Sequence, residues 1–75
     1  MTYSVIAYET AYLEIVMGTW RGNAATAIHH AMRRARYFEH EVTTVRVVGE
    51  GLTIEQANAL VRSASPFDGV EVKIP

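Results

Sequence analysis

Seventy-five residues allow one domain, residues 1–75, and leave a high surface-to-volume ratio. The chain has no cysteine, which excludes disulfides, thiolate metal sites and a cysteine nucleophile. The net charge of −1 gives no long-range attraction to nucleic acid, but it is unevenly spread: residues 21–40 carry +3, and the segments on either side carry −2 each.

Residues 3–8 and 12–17 are rich in β-branched and aromatic side chains. Leu13, Ile15 and Met17 alternate with Tyr12, Glu14 and Val16, the period of a strand with one buried face. Only Glu9-Thr10-Ala11 separates the two runs, so they form a hairpin. With Glu9 and Thr10 as its loop, Ile6 opposes Leu13 and Ser4 opposes Ile15. The other face then carries Tyr3, Val5, Ala7, Tyr12, Glu14 and Val16, which puts Tyr12 on an uncovered sheet face. Gly18 to Asn23 reads as a break, with Trp20 and Arg21 in a loop.

Asn23 is a good N-cap for a helix over residues 24–38. Ala24, Ile28, Ala31, Ala35 and Phe38 fall on one narrow face, with Ala27 and Met32 beside them. His29, Arg33 and Arg36 point the opposite way, flanked by Thr26, His30 and Tyr37. No glycine marks the end of this helix. Residues 42–48 form a Val/Thr-rich strand closed by Gly49-Glu50-Gly51. Thr53-Ile54-Glu55-Gln56 is a capping box for a second helix, which runs to about residue 63 and stops before Pro66. Pro66-Phe67-Asp68-Gly69 is a turn, and Val70, Val72 and Ile74 line the inner face of a last strand.

The expected fold is therefore α/β (α+β). It is a two-layer β-β-α-β-α-β sandwich, with a four-stranded mixed sheet and both helices on one face. The first strand is expected to run antiparallel to its neighbours. Nine Val, five Ile and three Leu supply the core. Self-association would bury more surface, so a homodimer is a candidate state.

No run approaches the 18 apolar residues of a membrane span, and the N-terminus lacks the basic start of a signal peptide. Without cysteine, the expectation is a complete chain in the cytoplasm. Ser4, Ser63 and Ser65 sit in no nucleophile elbow, and Glu9 with Glu14, or Glu39 with Glu41, read as exposed alternation. His29 and His30 are adjacent, about 100° apart on a helix. A metal would need His40 together with Glu39 or Glu41. No enzyme activity, metal or cofactor is expected.

Binding residues stand out instead. Four Tyr, one Trp and six Arg against one Lys match the composition of protein interfaces. The candidate partner-binding residues are Arg33, Arg36, Tyr37, His29, His30, Trp20, Arg21 and Tyr12. Trp20 could equally close one end of the sandwich. The alternative is a small nucleic-acid-binding or regulatory accessory protein that uses the basic helix 24–38, with arginines on phosphates and Tyr37 or a histidine stacked on a base.

In length, in lacking cysteine and any catalytic signature, and in its hairpin-plus-αβ plan, the chain resembles the small phage-encoded inhibitors known as anti-CRISPR proteins. Those proteins share no motif, so the resemblance assigns no residue a role. It implies a non-enzymatic protein-binding inhibitor in the cytoplasm of a host bacterium. The implied partner is a CRISPR-Cas effector subunit or nuclease, and the implied effect is blocked target-DNA recognition or nuclease recruitment. A charge of −1 departs from the strongly acidic members that mimic DNA.

Overall fold

The computed structural model describes residues 1–10 and 13–75. In chain order the elements are β1 (Thr2–Tyr8), β2 (Glu14–Arg21), α1 (Ala24–Tyr37), β3 (Thr44–Val48), α2 (Ile54–Ala64) and β4 (Glu71–Lys73). The strands form one four-stranded sheet in the order β2-β1-β3-β4. As expected, β1 is antiparallel to both of its neighbours, while β3 and β4 are parallel.

This order explains the two layers. The crossovers β2-α1-β3 and β3-α2-β4 advance the same way across the sheet, so right-handed connections put both helices on one face. α1 packs on β1 and β2, α2 packs on β4, and the helices touch each other. Between the layers lie Tyr3, Val5, Ala7, Met17, Ile28, Met32, Val45, Val47 and Val61, all buried. The alanines of α1 at positions 24, 27, 31 and 35 are buried as well, and their small side chains let the helix sit close to the sheet. Val70, Val72 and Ile74 pack against this core half-buried, although β4 itself is only three residues long.

The hairpin departs from expectation. β2 does not stop at Gly18 but continues to Arg21, so Trp20 and Arg21 belong to a strand rather than a loop. Ser4 pairs with Thr19 rather than Ile15, and Ile6 with Val16 rather than Leu13. Between Val5 and Ile6 the register slips, so Met17 and Gly18 together occupy one step of the ladder. This is a β-bulge, and it makes room for the extra residue by bending the strand. Gly18 has φ +144°, in the region that favours glycine, and a Cβ there would meet the Trp20 ring at 3.0 Å.

The pairing at the hairpin end reverses the face assignment of β1, because Ile15 lies opposite Ala7 rather than Ser4. Tyr3, Val5 and Ala7 are core, not part of an uncovered face. Leu13, expected inside, is 51% exposed. Tyr12 and the side chain of Val16 lie outside the described residues. The face away from the helices carries Ser4, Ile6 and Tyr8 of β1, with Glu14, Thr19 and Arg21 opposite them or alongside on β2. Thr44 and Arg46 of β3, and Glu71 and Lys73 of β4, complete that face.

Candidate functional site

α1 is organised from its N-cap. The Asn23 side chain accepts a hydrogen bond from the Thr26 amide at 2.8 Å, satisfying one of the free donors of the first turn. The buried seam then turns His29, His30, Arg33, Arg34 and Arg36 to solvent. This agrees with the sequence pattern at every residue but one. Phe38, expected in the seam, is 55% exposed.

The geometry of the helix end explains the difference. Helical backbone stops at Tyr37, and Phe38 is the C-cap. Glu39 takes φ 58°, the left-handed conformation usually given to glycine. Its amide donates to the Arg36 carbonyl at 3.0 Å, and the His40 amide donates to the Ala35 carbonyl at 3.0 Å. These two bonds are the Schellman pattern, here built without glycine. The reversal leaves Phe38 outside the layer and swings His40 back toward the sheet. There His40 Nδ1 lies 2.7 Å from Glu9 Oε1, with both side chains about a quarter exposed. Glu9 is thus a tether between the hairpin end and the helix end, not an exposed strand-end charge. The carboxylate beside His40 is neither Glu39 nor Glu41.

Two clusters flank the arginines on this side of the molecule. Toward the N-terminal half, the His30 ring stacks on Trp20 with centroids 6.1 Å apart and planes 18° from parallel, and His29 meets His30 edge-on. Trp20 is half-buried and packs on the core, so it closes that end of the sandwich while presenting one surface to His30. At the C-terminal end, Tyr37 and Phe38 form an edge-to-face pair at 5.0 Å, and the Arg34 guanidinium lies 5.8 Å from the Phe38 ring centre. Tyr37 is 80% exposed. Arg33 and Arg36 stand exposed on the same helix, and among the described residues no arginine forms an ion pair.

The expected site residues are therefore only partly united. His29, His30 and Trp20 come together, and Arg33, Arg36 and Tyr37 share their helix. Arg21 alternates with Trp20 along β2 and stands on the opposite face of the sheet, away from α1. Tyr12 is outside the described residues. Arg34, Phe38, His40 and Glu9, which the structure places beside these residues, were not among the candidate partner-binding residues. The only signal for them was the aromatic run Tyr37-Phe38 followed by a helix end without glycine.

The helix-free face holds a second polar group. Arg46 lies 5.9 Å from the Tyr8 ring centre, and the Tyr8 hydroxyl donates to Glu14 at 3.3 Å. A depression of about 400 Å³ is lined by Tyr8, Thr44, Arg46, Glu71 and Lys73. Arg46 Nε is buried there and has no hydrogen-bond partner among the described residues. Both signs of charge are mixed in this depression, so it concentrates no field for an anion or a cation. On α1 the arginines face solvent, and among the described residues no carboxylate pairs with them. Among the described residues no helix is long and apolar enough to cross a membrane. Compared with known proteins, the chain matches no family model, no curated protein and no solved structure.

Proposed function

We propose that the chain is a non-enzymatic inhibitor that acts by binding another protein, and that it contacts its partner through the outer face of α1. The observation that carries this reading is the exposed Tyr37-Phe38 pair beside the arginines at 33, 34 and 36. Exposed lysines and glutamates would read as a solvated face. Two exposed rings set among guanidiniums that form no ion pair among the described residues offer apolar area together with planar, multidentate donors. The matching partner surface is acidic and grooved. A CRISPR-Cas effector subunit or nuclease is the partner implied by the resemblance in size and plan, and the bacterial cytoplasm is the corresponding place of action.

The test is a double reversal, Arg33→Glu with Arg36→Glu. Neither side chain is buried, so the variant should fold with an unchanged circular dichroism spectrum. Its affinity for purified effector complexes should fall tenfold or more, and protection of phage from CRISPR-bearing cells should fall with it. Undiminished inhibition by the folded variant would refute the α1 assignment. A parent chain that binds DNA or RNA, with affinity falling steeply as salt rises, would instead favour the nucleic-acid reading.

A further inference from the structure

Glu14 and Arg21 open and close β2, and the bulge has turned both to the helix-free face. We propose that the outer edge of β2 pairs antiparallel with β2 of a second copy. In this register Glu14 of each copy stands opposite Arg21 of the other.

The edge itself is the first ground. β2 has eight residues and a neighbour on one side only, whereas the other edge strand, β4, has three. A long unpaired edge presents a row of free amides and carbonyls, which another strand can satisfy. Edge pairing is therefore available at β2 and scarcely at β4.

The second ground is parity. When a strand pairs with its own copy about a two-fold axis perpendicular to the sheet, residues that oppose each other must point to the same face. In a regular strand two residues an odd number of positions apart point to opposite faces, so residues 14 and 21 could not meet. The bulge at Met17-Gly18 inserts one residue and changes that rule for every pair that spans it. Glu14 lies opposite Tyr8 and bonds to it on the helix-free side. Ile15 lies opposite buried Ala7, and Trp20 opposite buried Tyr3, both on the helix side. Arg21, next along from Trp20, returns to the helix-free side. The bulge thus makes the Glu14–Arg21 register consistent on both faces.

The third ground is what that register brings together. Glu14 and Arg21 are exposed, and neither has an ion-pair partner among the described residues. The two-fold axis would match them twice, once at each end of the joined strands. On the helix side Ile15 of each copy would meet Trp20 of the other, joining two half-buried apolar side chains. Met17 would face Gly18 and the Trp20 ring that already lies over it. Exposed Leu13, just before the strand, would lie across from Gly22 of the second copy. The product is a single eight-stranded sheet with both α1 helices on the same side. This surface is separate from the α1 contact proposed above, and its variants leave Arg33 and Arg36 untouched.

The test is the mass of the chain in solution by light scattering, from about 1 µM to about 500 µM, the range that brackets an ordinary micromolar dimer. The parent should rise from 8.4 kDa toward twice that mass. Glu14→Arg and Arg21→Glu each place like charges opposite one another and should raise the dissociation constant at least tenfold. The double reversal, Glu14→Arg with Arg21→Glu, should restore the parent value, which non-specific damage to the strand would not do. The proposal is overturned by a parent that stays monomeric throughout, by a dimer that ignores the single reversals, or by a double reversal that fails to rescue. A dimer broken by Arg33→Glu with Arg36→Glu instead would place the interface on α1 and overturn it equally.

Discussion

Gly49 follows β3 immediately and faces the ring of Tyr3. A Cβ at Gly49 would stand inside contact distance of Tyr3 Cδ1 and Cε1, and 3.0 Å from Cγ. Tyr3 is 7% exposed, and its hydroxyl donates to the Glu50 carbonyl at 3.4 Å, so the ring has little freedom to withdraw. In Gly49→Ala two effects oppose each other. Replacing glycine restricts the unfolded chain, which stabilises the fold by about 0.4–1 kcal/mol where the conformation suits alanine. Overpacking costs about 1–3 kcal/mol, and expelling the Tyr3 ring into water instead costs a similar amount. The clash wins, and the net loss is about 1–2 kcal/mol. For a domain of this size that lowers the thermal midpoint by roughly 5–15 °C. Thermal denaturation of four chains decides the matter: parent, Gly49→Ala, Tyr3→Ala and the double variant. With Tyr3 shortened, Gly49→Ala should become neutral or mildly stabilising, because only the unfolded-state effect survives. Equal destabilisation in both backgrounds would refute the packing argument, since the cycle isolates the coupling between the two residues.

Two further outcomes follow from the helix. Ile28 is fully buried under α1, so Ile28→Asp should abolish the cooperative unfolding transition by burying an unpaired carboxylate; a variant that keeps the parent's midpoint would mean the helix phase is wrong. Glu39→Gly should raise stability by about 0.5–1 kcal/mol in urea titration, because glycine removes the side-chain penalty of the left-handed C-terminal residue; a loss of stability would show that the Glu39 side chain itself matters.

The sequence carried the order of elements and both helix N-caps well, because those depend on local chemistry. Asn23 binds the Thr26 amide, and Thr53 and Gln56 bind each other's amides reciprocally, as the spacing predicts. It carried the seam of α1 equally well, because 3.6-residue periodicity over four turns admits one phase. It failed where a single residue shifts a pattern. Leu13, Ile15 and Met17 look like one face of a strand, but Met17 sits in a bulge and Leu13 precedes β2. Gly18 signals a break and instead allows that bulge, because the Trp20 ring occupies the space above it. Phe38 obeys the helical period, yet the helix has ended one residue earlier. The binding surface inherits the same limit. Its arginines were legible as a helix face, whereas the exposure of Phe38 and the Glu9–His40 tether depend on how the chain turns at Glu39.

The place of β1 in the sheet has a consequence for the order in which the molecule assembles. β1 is a central strand, and of its two neighbours one follows it directly in the chain and the other comes from far along it. β2 returns to it at once, on the microsecond scale of a hairpin. β3 reaches it only after α1 has been traversed, with Ser4 meeting Val48, and closing a loop of that length costs roughly 3 kcal/mol of chain entropy. The hairpin with α1 docked across it can form before that closure, because its contacts join elements adjacent in the chain. Until β3 arrives, the far edge of β1 lies open, with Val5 and Ala7 part-covered beside it. During that interval the nascent chain is most exposed to pairing with the wrong strand.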